Sequence, residues 1–213
     1  MNETQLREAI IDAACQLNTR GLCVGNSGNV SARCDDMMLI TPTGIAYHEL
    51  RPADVVKLNL AGEVIEGHFK PSSEWHFHCA ILAERPEVNA IVHTHSLHCT
   101  ALASTERGIP AFHYMVAVAG GPDIRCAPYA TYGTQSLAEH AVAALKARRA
   151  CLLAHHGSIA VGDSTAEALA LAIQLEDLAA QYCEVLKIGG EQLLTDEQMT
   201  EVLTRFASYG QQD

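Results

Sequence analysis

The sequence is poor in positive charge: 14 lysines and arginines stand against 25 aspartates and glutamates, and the formal net charge is −11. Nucleic acids and anionic membranes attract basic surfaces, so neither is expected as a partner. No apolar run approaches the roughly 20 residues that a membrane-spanning helix requires. The chain also begins without a basic segment followed by an apolar one, so no secretory signal is predicted and a cytoplasmic location is expected.

Several common functional patterns are missing as well. The eight cysteines are scattered without a Cys-x-x-Cys pair, so reduced thiols are predicted rather than a disulfide framework. Neither a Walker A loop nor a dinucleotide-binding GxGxxG motif is present, and no nucleotide site is predicted. The sequence contains no internal repeat, low-complexity tract or linker, so residues 1–213 are predicted to form a single domain.

Helical and strand patterns share the chain. Where strands follow one another through turns, rather than through helices, an antiparallel arrangement is favoured; the sequence therefore predicts an α/β fold with a mixed, mostly antiparallel central sheet flanked by helices. A serine, Ser72 or Ser73, is predicted to cap the helix that Glu74 opens. The predicted helices are 4–20, 74–83, 97–104, 135–147, 164–186 and 195–207, and the predicted strands are 37–40, 55–60, 63–65, 88–95, 150–154 and 158–161.

Two histidines stand at the end of an apolar strand, in the segment Ile91-Val92-His93-Thr94-His95. Side chains alternate along a strand, so His93 and His95 are expected on one face, about 6–7 Å apart along the strand. Imidazoles so placed can converge on one metal ion. A His-x-His pair by itself is a weak signal, because two polar residues at a strand end are just as common.

Further ligands for a metal are available elsewhere. A second apolar strand is predicted to end in His155-His156, and Glu74 opens a helix, so three imidazoles and a carboxylate would match a zinc site with an open position. Adjacent strand residues face opposite ways, so periodicity leaves open which of the two histidines takes part. Glu74 alone would more often be a surface charge that complements a helix dipole.

Three short segments pair a hydroxyl or an amide with a loop: Gly28-Asn29, Thr43-Gly44 and Ser72-Ser73. Free backbone N–H groups in such loops, one of them at a helix N-terminus, suit a phosphate group. Each segment alone is more often a turn or a helix cap. Only their combination suggests an anion pocket.

Read together, these motifs resemble the class II aldolase/adducin family in order and spacing. The resemblance covers essentially the whole chain, and the segments 109–115 and 126–131 are similar to the fuculose-phosphate branch of the family. The motifs that carry the family resemblance are Gly25-Asn26-Ser27-Gly28-Asn29-Val30-Ser31, Leu39-Ile40-Thr41-Pro42-Thr43-Gly44, Pro71-Ser72-Ser73-Glu74-Trp75, Val92-His93-Thr94-His95 and His155-His156-Gly157.

The resemblance implies a zinc-dependent aldolase, a carbon-carbon lyase with one Zn2+ per subunit. Such an enzyme would reversibly cleave L-fuculose 1-phosphate, or a similar deoxyketose 1-phosphate, to dihydroxyacetone phosphate and L-lactaldehyde, with zinc stabilising the enediolate. The zinc ligands that it implies are Glu74, His93, His95 and His156, and the implied phosphate-binding residues are Gly28, Asn29, Thr43, Gly44, Ser72 and Ser73.

The resemblance also implies roles that depend on other copies of the chain. In the condensation direction Glu74 would be the catalytic base and Tyr114 the catalytic acid, with Tyr114 acting in the site of a neighbouring subunit of a homotetramer. Tyr209 would lie on a C-terminal tail near the site. Two departures from the family pattern, Asn26-Ser27 and Tyr132, concern the preference for the aldehyde rather than the type of reaction.

Alternatives remain at this point. A ribulose-5-phosphate 4-epimerase uses related chemistry on the same fold, and another sugar-phosphate lyase of the family is a further alternative. Adducin-type modules of the family are not enzymes, but the presence of residues at all four implied ligand positions argues against that class. Lys57, Lys70, Lys146 and Lys187 lie in no evident Schiff-base motif, which fits metal-dependent chemistry.

Overall fold

The computed structural model describes residues 1–206, which contain one mixed sheet with helices on both faces. The strands are β1 (Asn29–Cys34), β2 (Met37–Ile40), β3 (Val56–Asn59), β4 (Val64–Glu66), β5 (Ala90–Thr94), β6 (Arg125–Ala127), β7 (Ala150–Leu153) and β8 (Gly157–Gly162). The helices are α1 (Glu3–Thr19), α2 (Trp75–Glu84), α3 (Leu97–Ala103), α4 (Gln135–Ala144), α5 (Thr165–Ile188) and α6 (Asp196–Phe206), with 3-10 turns at Tyr47–Glu49, Pro52–Asp54 and Tyr114–Ala119.

The strand order is β4-β3-β2-β1-β5-β8-β7-β6. Neighbouring strands run antiparallel except β6 and β7, which are parallel. The predicted α/β fold with a mixed, mostly antiparallel sheet flanked by helices is therefore confirmed. Among residues 1–206, no helix has the length and apolar content that crossing a membrane would need.

The apolar core is divided by the sheet. Val92 packs into the cluster that contains Leu17 of α1 and Leu175 of α5, whereas its neighbour Ile91 packs with Phe77 of α2 on the opposite face. Successive side chains of a strand point to opposite faces, so β5 is buried from both sides. A strand covered on both faces is a rigid support, and β5 carries the histidine pair at its end.

Some local predictions were wrong or incomplete. Helix α2 begins at Trp75, and Glu74 takes the N-cap position without a capping side chain, so neither Ser72 nor Ser73 is the cap. The Ser72 hydroxyl instead accepts a hydrogen bond from the Glu74 N–H at 3.3 Å. Strands β1 and β6 were not predicted.

Candidate metal centre and active site

The ends of three central strands, β1, β5 and β8, meet on one side of the sheet, where the strands enter or leave it. Antiparallel pairing sets Asn29, the first residue of β1, opposite His93 near the end of β5, and sets Ser158 of β8 opposite Thr94. His95 follows β5 directly. The predicted placement of the second histidine pair at a strand end is wrong: β7 ends at Leu153, and His155-His156 form the turn into β8.

Four donor atoms converge at this edge. The Nε2 atoms of His93 and His95 lie 2.8 Å apart, and Glu74 reaches His93 Nε2 with Oε2 and His156 Nε2 with Oε1, each at 3.0 Å. All four donor atoms lie within 4.8 Å of one another. A tetrahedral ion with bonds of about 2.0–2.1 Å separates its ligand atoms by about 3.3 Å, so one divalent cation fits among them.

The hydrogen-bond pattern also fits a metal ion. His93 Nδ1 lies 2.9 Å from the Ser158 carbonyl oxygen, which only accepts, so the ring proton is on Nδ1 and the Nε2 lone pair faces the cluster. Glu74 Oε1 is buried and has no hydrogen-bond partner among the described residues, although His156 Nε2 is near. A bound cation would satisfy this oxygen, because buried polar atoms rarely remain without a partner.

The titration behaviour of the cluster agrees with this arrangement. Burial raises the pKa of Glu74, but the adjacent imidazoles of His93 and His156 outweigh burial and hold that pKa below its ordinary value. Burial, followed by the charges of His93 and His156, lowers the pKa of His95 to about 3. At neutral pH the site therefore presents an ionised carboxylate and a neutral His95, the forms that bind metals.

A second layer of polar side chains lies behind Glu74. Asn29 Nδ2 donates to Glu74 Oε2 at 3.0 Å, Asn29 Oδ1 bonds His78 Nε2, and His78 Nδ1 bonds Ser31 Oγ at 2.7 Å. One feature of the sequence points to this layer: His78 stands four residues after Glu74 and so lies on the same face of α2.

A cavity of about 320 Å³ opens beside the cluster. Five of the six residues expected to bind phosphate line the cavity, and Gly44, the sixth, does not. Its wall also carries Tyr129, Ala130, Tyr132 and His155, of which only Tyr132 was expected near the aldehyde. The complete set of lining residues is Asn26, Ser27, Gly28, Asn29, Pro42, Thr43, Ser72, Ser73, Glu74, His95, Tyr129, Ala130, Tyr132, His155 and His156.

Gly28 is held close to the metal cluster by packing. A Cβ at this position would lie 2.5 Å from Cys23 Sγ and 2.7 Å from the His93 carbonyl oxygen. The Tyr47 hydroxyl donates a hydrogen bond to the Gly28 carbonyl on the other side. A side chain at residue 28 would therefore push the start of β1 away from His93, whatever else this glycine binds.

Gly157, the first residue of β8, tests whether close packing against the end of β5 holds the metal ligands in place. A Cβ at Gly157 would lie 2.2 Å from the Thr94 carbonyl oxygen and 3.0 Å from a ring carbon of His95. Gly157→Ala is expected to lower the free energy of unfolding by about 1–3 kcal/mol. By separating His156 from His95, it should also weaken metal binding at least about tenfold. Titration with zinc against a competing chelator measures the second effect.

Gly162 at the far end of β8 supplies the matched control. Its Cβ would lie 2.7 Å from the backbone nitrogen of Ala168, a backbone clash of the same kind but less severe, at a distance from the ligands. Gly162→Ala should lower stability and leave metal affinity unchanged. Equal metal affinities in Gly157→Ala and the unaltered protein would refute the structural role assigned to Gly157.

Tyr114 does not join the cluster in this chain. Tyr114 begins a 3-10 turn, its surface is 49% exposed, and it is not part of the cavity wall. Tyr209 lies outside the described residues. His155 points away from the four donor atoms, with its Nε2 3.3 Å from Glu106 Oε1, so the structure brings His156 rather than His155 to the cluster.

Comparisons with known proteins agree with this geometry. Residues 8–183 match the family described as Class II Aldolase and Adducin N-terminal domain. The chain is 52% identical to the 5-methylthioribulose-1-phosphate/5-deoxyribulose-1-phosphate aldolase of Rhodospirillum rubrum, over 96% of this chain and 92% of that protein. It is 47% identical to the L-fuculose phosphate aldolase of Escherichia coli strain K12, over 99% of this chain and 98% of that protein.

A solved structure described as L-fuculose 1-phosphate aldolase superposes with a TM-score of 0.92 at 37% identity, covering 95% of this chain and 96% of that chain. High identity to two kinds of aldolase means that sequence likeness does not single out the fuculose branch. The three-histidine, one-glutamate cluster is typical of metal-dependent members. The chain thus belongs to the class II aldolase and adducin family, as one of its metal-dependent aldolases.

Proposed function

We propose that this protein is a zinc-dependent aldolase that reversibly cleaves a deoxyketose 1-phosphate between C3 and C4, releasing dihydroxyacetone phosphate and a short aldehyde. The observation that carries the proposal is the cluster of Glu74, His93, His95 and His156 beside a cavity whose lining includes glycine, serine and threonine. Three imidazole nitrogens and one carboxylate oxygen are a donor set suited to zinc.

The names of the related aldolases point to three candidate ketose 1-phosphate substrates. L-Fuculose 1-phosphate would yield L-lactaldehyde, whereas 5-deoxyribulose 1-phosphate and 5-methylthioribulose 1-phosphate would yield acetaldehyde and its methylthio derivative. All share the dihydroxyacetone phosphate half and differ only beyond C4. Tyr129, Ala130 and Tyr132, which also line the cavity, would face that end, and their largely apolar surfaces suit the deoxygenated tails of all three.

The phosphate would sit between the loops that carry Gly28, Asn29, Thr43, Gly44, Ser72 and Ser73. Ser72, Ser73 and the N-cap residue Glu74 line the cavity just before α2 begins, and the partial positive charge of a helix N-terminus favours an anion. Gly44 has φ of +76°, a turn that an ordinary side chain would strain, so it would shape the loop that holds Thr43. No basic side chain is needed to bind the phosphate in this arrangement.

Proton transfer would fall to Glu74 and Tyr114. A zinc ion bound by the four ligands would act as a Lewis acid on the substrate oxygens and so acidify the adjacent C–H bond. In the condensation direction, Glu74, displaced from zinc by the substrate, would remove a proton from dihydroxyacetone phosphate, using Oε1 while Asn29 holds Oε2. Tyr114 of a neighbouring subunit would donate a proton to the aldehyde oxygen, and the roles reverse in cleavage.

The proposal includes a homotetramer with sites at subunit interfaces, as the family resemblance implies. Half-exposed Tyr114 lies outside the cavity of its own chain, so it would need another subunit to reach the reaction. Symmetric assembly would place the same tyrosine at every site.

Metal removal tests the proposed activity. Purified protein should contain about one zinc per chain, and chelation should slow release of dihydroxyacetone phosphate about a thousandfold, because metal-ion catalysis contributes several kcal/mol. Added zinc should restore the rate. The panel should contain L-fuculose 1-phosphate, 5-deoxyribulose 1-phosphate and 5-methylthioribulose 1-phosphate, with L-ribulose 5-phosphate to detect an epimerase. Undiminished activity without metal, or epimerisation without release of dihydroxyacetone phosphate, would overturn the proposal.

A further inference from the structure

A line of buried polar side chains leads from the core to Glu74. Ser31, His78 and Asn29 are connected in that order by hydrogen bonds, and Asn29 bonds the Glu74 carboxylate. All four residues are buried, and His78 and Ser31 are completely enclosed. Burying this many polar groups costs free energy unless each is hydrogen-bonded. The hydrogen bonds along the line offset that cost.

The direction of each hydrogen bond follows from the carboxylate. An ionised Glu74 only accepts, so Asn29 must present its amide nitrogen to Glu74 and its carbonyl oxygen to His78. His78 Nε2 must then carry the proton that this oxygen accepts. Neutral histidine has one ring proton, so Nδ1 accepts from the Ser31 hydroxyl. The donors point from Ser31 through His78 and Asn29 to Glu74.

Two secondary-structure elements hold this line in register. Asn29 and Ser31 stand two apart on β1 and share one face of the strand. Glu74 and His78 stand one helical turn apart at the start of α2 and share one face of the helix. Along the line the side chains come alternately from β1 and from the start of α2, so each hydrogen bond joins these two elements.

The orientation of the Asn29 side-chain amide must be fixed by its neighbours. Rotating it by half a turn exchanges its oxygen and nitrogen with almost no change in shape. In the wrong orientation the carbonyl oxygen would face the Glu74 carboxylate, and the two would repel. The correct orientation leaves a second amide hydrogen on Nδ2, and Asn29 lines the cavity proposed for the phosphate.

We infer that His78 is a positioning residue that fixes the orientation of the Asn29 amide, and thereby holds the Glu74 carboxylate in place as ligand and base. His78 touches neither substrate nor metal and acts only through Asn29. The inference rests on the proposed function insofar as it assigns a consequence for turnover. Its structural part, the protonated Nε2 of His78 and its effect on Glu74, stands without any activity.

Two substitutions at His78 separate this role from simple packing. His78→Leu fills the space but removes the Nε2 donor, whereas His78→Gln can place an amide N–H near the same point. His78→Leu is expected to lower kcat/KM and zinc affinity about 10- to 100-fold, and His78→Gln to recover most of both. His76→Leu, on the same helix with its ring stacked on Trp75, is the matched control and should change neither value.

A spectroscopic measurement on the unaltered, metal-free protein keeps the inference testable if His78→Leu fails to fold. Nitrogen-15 spectra of the imidazoles should show His78 as the neutral form protonated at Nε2. Protonation at Nδ1 instead would overturn the inference, as would equal loss of zinc affinity in His78→Leu and His78→Gln. If the unaltered protein cleaves none of the sugar phosphates, the proposed function fails, while zinc affinity and the spectrum still decide the role of His78.

Discussion

Glu74→Gln is expected to slow release of dihydroxyacetone phosphate about a thousandfold while the protein remains folded, because a positioned general base contributes about 10²- to 10⁴-fold. The glutamine amide matches the shape of the carboxylate but cannot accept a proton from carbon. It also weakens the ligand set at His93 and His156, so the rate must be measured at saturating zinc. Under that condition the remaining defect reports on proton transfer.

Isotope exchange isolates the same step. In heavy water, the unaltered enzyme should exchange a C3 proton of dihydroxyacetone phosphate without any aldehyde present, and Glu74→Gln should not. Glu176→Gln is the control for losing a partly buried carboxylate: Glu176 accepts hydrogen bonds from His98 and Cys99 at the start of α3. It should lower stability and retain exchange. Normal exchange in zinc-loaded Glu74→Gln would remove Glu74 from the role of base.

The metal ligands show what a sequence can supply. His93 and His95 could be recognised because an apolar strand ends in them, and the buried β5 does place both nitrogens in one cluster. Choosing His156 over His155 could not be done by strand periodicity, since both residues lie in a turn. His155 has φ of +54°, and this left-handed backbone helps to direct the two neighbouring rings apart.

Strand β1 shows why a clear alternation can still be overlooked. Val30, Ala32 and Cys34 are apolar and alternate with Asn29, Ser31 and Arg33, yet both faces are mostly buried. The polar face is satisfied by partners far along the chain: Asn29 and Ser31 bond His78, and Arg33 donates to carbonyl oxygens of Leu82, Arg85 and Val88. Such partners become visible only when α2 is packed against the sheet.

Very short strands and exact helix ends are hard to predict from sequence for a different reason. β6 has three residues, too few for any periodicity, and is held by parallel pairing with β7. At the start of α2, a serine pair suggested a cap, but the Glu74 side chain is drawn to the imidazoles instead of solvent. Tertiary contacts at the site thus override the local helix-capping preference.

Tyr114→Phe is expected to slow cleavage about 10²- to 10⁴-fold, because it removes the proposed proton donor without changing the shape of the ring. Zinc content should be unchanged, since Tyr114 lies outside the four-ligand cluster. Tyr129→Phe is the matched control: Tyr129 is another exposed tyrosine, on the cavity wall rather than outside it, and has no assigned proton-transfer role. Its hydroxyl should affect the rate far less.

Mixing the two inactive variants tests whether Tyr114 acts in a neighbouring subunit. In hybrids of Glu74→Gln and Tyr114→Phe, a shared site is intact when one subunit supplies Glu74 and its neighbour supplies Tyr114. Random assembly of equal amounts should make about a quarter of the sites intact, so activity should rise to about a quarter of the unaltered enzyme. If both residues served the site of their own chain, no hybrid site would contain both. Activity would then remain at the mean of the two parent variants, and the shared site would be disproved.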